Sequence, residues 1–116
     1  MFVDVKRNDS KLVLALLHPR IDGSNHLLDA VNEFTRQSGG LPAIADLTEI
    51  EIDFAGVTYL NSMGITELVN IYRYLTDQSR GRIQFRFSNV MPRIHSILDL
   101  VEFTKLADVQ KRDQSG

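Results

Sequence analysis

Apolar and polar residues alternate through Ile50-Glu51-Ile52-Asp53-Phe54 and again through Arg82-Ile83-Gln84-Phe85-Arg86-Phe87. That is the period of strands buried on one face only. Leu12-Val13-Leu14-Ala15-Leu16-Leu17 is apolar throughout, as an interior strand would be. Phe2, Val3 and Val5 precede it across a polar turn, Lys6–Lys11, so the chain is expected to open with a hairpin. Helical spacing takes over at Leu27, Ala30, Val31 and Phe34. It predicts a helix near residues 25–37, capped by Ser24 or Asn25 and stopped by Gly39-Gly40. Leu41–Leu47 connects to the next strand, and Ala55–Leu60 reads as a turn. A second helix starts at Ser62 and ends near Asp77, before Ser79-Arg80-Gly81, with Ile65, Leu68, Val69, Tyr72 and Leu75 as its buried stripe. A third is expected after a Ser88 or Asn89 cap, with Pro92 in its first turn. Ile94, Ile97, Leu98 and Val101 form its buried stripe, and Phe103 and Leu106 are expected to pack after it.

This order is an α/β pattern: a mixed, mostly parallel sheet of about four to five strands, with right-handed crossovers. Because two strands alternate, helices are expected mainly on one face, leaving the other partly open. On that open face Glu51 and Asp53 would lie near Arg82 and Arg86 if their strands are neighbours. Residues 1–108 read as one domain, and 109–116 as a flexible polar tail with nothing to bury.

Composition narrows the function classes. The 116 residues are 43% hydrophobic and 24% charged, enough for one core without metal or disulfide support. A net charge of −2 gives no global drive toward nucleic acid or anionic lipid. The absence of cysteine removes thiolate chemistry and the usual structural zinc sites, and suits a reducing cytoplasm. No apolar run approaches membrane-spanning length, so neither export nor membrane insertion is expected.

Most clusters have an ordinary explanation. His18, His26 and His95 lack ligand spacing, and Glu51 and Asp53 fit a solvated strand face, so no metal and no cofactor are expected. Arg80 to Arg93 holds four arginines and no acid, yet Phe85 and Phe87 alternate away from them, unlike a stacking platform for nucleic acid. Gly56 and Gly64 lack the spacing and lysine of a phosphate loop, and no Gly-x-Ser-x-Gly elbow is present. The remaining chemical feature is Ser62, a hydroxyl at a helix start, where unpaired N–H groups and the positive end of the macrodipole tolerate an anion. Thr66, Asn70, Arg73 and Asp77 share its side of the helix, while Met63 and Tyr74 fall off the buried stripe. Met63 and Tyr74 are candidate contacts, with Glu67 and Arg73 giving selectivity at the rim.

The strand Ile50–Phe54, the Asn61-Ser62-Met63-Gly64 junction, and Phe87-Ser88-Asn89-Val90 through Ile97-Leu98-Asp99-Leu100 resemble the STAS domain family, in particular its stand-alone anti-sigma factor antagonists. The family pattern at the junction is Asp-Ser-Ser-Gly or a near variant. The resemblance implies that Ser62 is phosphorylated by a serine kinase that doubles as an anti-sigma factor, and that a PP2C-type serine phosphatase reverses it. The protein would then be a substrate and a binding surface, not an enzyme. Asn61 stands where the family usually has Asp, keeping a capping side chain without the charge. The competing expectation is a STAS-like structural or ligand-binding subunit of a signalling or transport assembly, in which Ser62 serves only as a cap.

Overall fold

The computed structural model describes residues 3–24, 26–37, 47–78 and 83–111. Readings that rest on Phe2, Asn25, Gly39-Gly40, residues 41–46, Ser79-Arg80-Gly81-Arg82 and residues 112–116 lie outside the described residues.

The chain opens with β1 (Val3–Asn8) and β2 (Lys11–Leu16), an antiparallel hairpin. The polar segment read as a turn is mostly strand. Only Asp9-Ser10 turns, with Asp9 in the left-handed region at φ 56°. Helix α1 (His26–Gln37), β4 (Glu49–Asp53), α2 (Ser62–Gln78), β6 (Gln84–Val90) and α3 (Pro92–Leu100) follow within a residue or a few of their expected places. The main sheet runs β1-β2-β4-β6-β7, where β7 is Asp108–Lys111, and all pairs after the hairpin are parallel. It is the expected α/β architecture, with helices over the face that carries Leu12, Leu14, Leu16, Ile50, Ile52, Phe85 and Phe87. Ring centroids of Phe54 and Phe87 lie 5.1 Å apart, and those of Phe87 and Phe103 lie 5.2 Å apart, both pairs stacked.

Several sequence expectations fail, each for a local reason. Val109–Lys111, expected to fray, belongs to the edge strand β7. An edge strand buries little, so it needs no apolar alternation; Arg86 lies 3.6 Å from Asp108 across the pair. Ser88 and Asn89 do not cap α3, because β6 continues through them to Val90. The cap position is Met91, with no side-chain bond, while Ser88 Oγ donates to Glu51 and Asn89 Nδ2 donates to Asp53. Val101 and Leu106 are exposed, because α3 ends at Leu100 and a left-handed Glu102, φ 62°, turns the chain into a 3-10 turn at Phe103–Lys105. Only Phe103 of the pair expected to pack there is buried.

The open face of the sheet is laced with charge. Lys11 Nζ lies 2.8 Å from Glu51 and 3.4 Å from Glu49, and Arg86 reaches Glu49 at 3.5 Å. The strands of the carboxylates and Arg86 are neighbours as expected, with Glu51 in register with Arg86. The Lys11 ammonium, and next the Ser88 hydroxyl, hold the Glu51 carboxyl below its ordinary range against the cost of burial. A carboxyl so lowered stabilises the fold above its unfolded pKa, and that contribution fades as acid carries the pH through the folded value. Glu51→Gln is therefore expected to cost about 1 kcal/mol at pH 7. In urea melts the gap to the unmodified chain should close below pH 4; a gap independent of pH would contradict this account.

Candidate functional site

The segment after β4 is held from both sides. Phe54 N–H donates to the Ser88 carbonyl at 2.9 Å, and Thr58 and Tyr59 N–H both donate to the Pro19 carbonyl. Tyr59–Leu60, read from sequence as part of a turn, is strand β5, paired in parallel with β3 (Arg20–Ile21). Strands this short leave no period to read. Their pairing brings the start of α2 against the segment that enters α1: Asn61 N–H donates to the Ile21 carbonyl, and a Cβ on Gly64 would overlap that same carbonyl group. Gly23, at φ +93°, lies under Met63; a Cβ there would be 2.8 Å from Met63 Cβ.

Asn61 is the residue that caps α2. Its Oδ1 accepts the Gly64 N–H at 2.9 Å, and its carbonyl accepts the Ile65 N–H. Ser62 is the first helical residue and exposed; its carbonyl accepts the Thr66 hydroxyl at 3.1 Å. Among the described residues its own hydroxyl has no hydrogen-bond partner, and the first turn of α2 holds no acid. The competing reading, with Ser62 as the cap, does not hold: the Asn61 side chain, expected to retain a capping character, fills that role. Asn61→Ala should cost about 1 kcal/mol, and Ser62→Ala no more than a few tenths. Urea denaturation of both variants checks this, and the reverse order would contradict it.

The face around Ser62 differs in part from the one read off the helical wheel. Met63 is 60% exposed, and Thr66, Asn70 and Arg73 face solvent. Tyr74 is half-buried against the core. Glu67, expected at the rim, is buried, and its Oε2 accepts the Leu27 N–H of α1 at 3.2 Å. The stripe is wider than it was read: Gly64, Leu68, Ile71 and Leu75 are buried, and Glu67 lies on the same side. Including Ile71 in the stripe would have placed Glu67 inside. Sequence reasoning also missed Tyr59, whose ring lies 4.1 Å from the Arg20 guanidinium, and exposed Leu17 at the exit of β2. Tyr59 and Arg20 owe their place to β3 pairing with β5, where they stand opposite each other. Asp22 beside them accepts the Ser24 hydroxyl at 2.6 Å, and that bond, ahead of the one from Arg20, holds its carboxyl below the ordinary range.

Among the described residues no group of three or more ligating side chains is arranged to hold a metal, and no helix is long and apolar enough to cross a membrane. Of the arginine-rich stretch, Arg86 is engaged with Glu49 and Asp108, and Arg93 is exposed on α3.

The family model of the STAS domain matches residues 4–114, nearly the whole chain. The chain belongs to the STAS domain family. Among curated proteins none matches it in sequence. Solved structures share the STAS fold at low identity. An anti-sigma factor antagonist from Mycobacterium paratuberculosis has 18% identity and a TM-score of 0.66, over 93% of this chain and 83% of that one. An anti-sigma-factor antagonist (STAS) domain protein from Planctomyces limnophilus has 16% identity and a TM-score of 0.65, over 97% and 92%. The Bacillus cell fate determinant SpoIIAA in its phosphorylated form has 14% identity and a TM-score of 0.53, over 92% and 89%.

Proposed function

We propose that this STAS protein is an anti-sigma factor antagonist that works by partner switching. With Ser62 unmodified it binds a serine kinase that is also an anti-sigma factor; phosphorylation of Ser62 releases that partner, and a PP2C-type phosphatase resets the surface. The observation that carries this reading is the exposed Ser62 hydroxyl at the first position of α2, left uncommitted because Asn61 does the capping. Phosphorylation there adds about −1.5 to −2 charges and three acceptor oxygens. The helix N-terminus accommodates that charge on this protein, whereas a docked acidic or apolar partner surface would not. Asn61, Met63, Thr66, Asn70, Arg73 and Tyr74 make up the contact face in this proposal, and the protein acts in the cytoplasm as a kinase substrate without a cofactor of its own. The phosphorylated relative supports the reading by showing that the same fold occurs in a phosphorylated form.

Mass spectrometry of the protein isolated from its native cells, with phosphatase-deficient cells included, should find phosphate on Ser62. In pull-downs, Ser62→Asp should lose a kinase partner that the unmodified chain retains, by about tenfold or more, as expected when a charge is buried unpaired at an interface. Consistent absence of phosphate in both cell types would sink the proposal.

A further inference from the structure

Among the described residues Glu67 is the one ionisable side chain inside the core, 3% exposed on a helix face it shares with Gly64, Leu68, Ile71 and Leu75. A carboxylate is costly to desolvate, and an apolar side chain would fill that position without the cost. What the carboxylate adds is direction. Its Oε2 accepts the N–H of Leu27, the second residue of α1 and one of the first-turn donors that have no partner within the helix. It also brings negative charge to the positive end of α1.

The bond closes a longer seam. Asn61 N–H on the Ile21 carbonyl, Gly64 against Ile21, Met63 over Gly23 and Glu67 on Leu27 join the entry into α1 to the entry into α2. At the start of α1 the His26 ring lies 5.2 Å from that of His18, which ties in the exit of β2 as well. We propose that Glu67 is a positioning residue, pinning the first turn of α1 beside the first turn of α2 so that a partner docking at Ser62 meets both helix starts as one preformed surface. This rests on Ser62 marking the docking end. It adds the first turn of α1, with half-buried His26 and exposed Asp29, to the docking face. The cost of ordering α1 is then met in the free protein instead of on binding.

Glu67→Met removes the carboxylate at similar volume, whereas Glu67→Gln keeps an acceptor. Hydrogen exchange on the full chain should show the Leu27 amide at least about tenfold faster in the Met variant, with Ile50 and Phe85 amides unchanged and the Gln variant near native. In extracts of the native cells supplied with ATP, phosphate incorporation at Ser62 should slow about tenfold in the Met variant and recover in the Gln variant. Unchanged Leu27 exchange in the Met variant overturns the pinning. Faster exchange with an unchanged phosphorylation rate overturns the positioning role. If the Met variant unfolds, Glu67→Asp, one methylene too short to reach, replaces it in the comparison with Gln. If the unmodified chain takes no phosphate at all, the reading of Ser62 fails and the docking role with it, while Leu27 exchange still judges the pinning by itself.

Discussion

Gly64→Ala is expected to destabilise the fold by about 3 kcal/mol, although alanine is favoured over glycine within a helix by about 1 kcal/mol. The sign reverses because the added methyl has nowhere to go. Its carbon would sit 2.6 Å from the Ile21 carbonyl carbon and 2.9 Å from Leu60 Cδ1. Backbone on one side and a buried side chain on the other cannot both withdraw without parting β3 from β5. Urea denaturation gives the magnitude, and amide exchange at Asn61 and Leu27 reports whether the two helix entries separate. A stabilised Gly64→Ala variant would mean that they are not packed this closely. Under the proposed partner switch, the same change should weaken partner capture even at temperatures where the domain stays folded, because Ser62 is carried on the displaced turn.

The second large effect lies in the core. Phe87→Ala should cost about 4 kcal/mol, the upper range for emptying a buried aromatic position. Phe87 is 1% exposed and stacks between Phe54 and Phe103, so its loss removes packing from β4, β6 and the turn after α3 together. Phe87→Leu, which keeps most of the volume, should cost less than half as much. A Phe87→Ala cost below about 1.5 kcal/mol, measured by the same denaturation, would show that the stack collapses around the gap and that the aromatic column is not a keystone of this core.

The legible parts of the sequence were those in which one residue type repeats with a period. Ile50, Ile52 and Phe54 marked β4, and Leu68 and Leu75 marked α2, because burial on one side imposes a rhythm over several turns or pleats. β3 and β5 had no such signal: two residues long, they exist because Pro19 and Ile21 offer carbonyls to Thr58, Tyr59 and Asn61. β7 was hidden for a related reason, since Asp108–Lys111 gains backbone pairing at an edge without burying an apolar row. At the candidate site Ser62 could be placed from its neighbours, but the division of labour with Asn61 depended on which side chain bends back to the Gly64 N–H. Glu67 belongs to the rim by its charge and to the core by its angle on the helix, and the angle prevails. Its spacing from Gly64 and Ile71 already put it among the buried residues, where a distant helix start supplies its bond.

The direction of the two outer strands has a practical consequence for handling the molecule. β1 runs against β2 with Val3 opposite Leu16, and β7 runs with β6 so that Lys111 lies beside Val90. Residues 3 and 111 thus stand at the same rim of the sheet as the loops leading to Ser62. An affinity tag or fluorescent protein attached at either place would crowd the docking end proposed around Ser62 and, under that proposal, mimic loss of partner binding. A label inserted in the Asp9-Ser10 turn, on the opposite rim, would stand clear of Ser62 and of both helix entries.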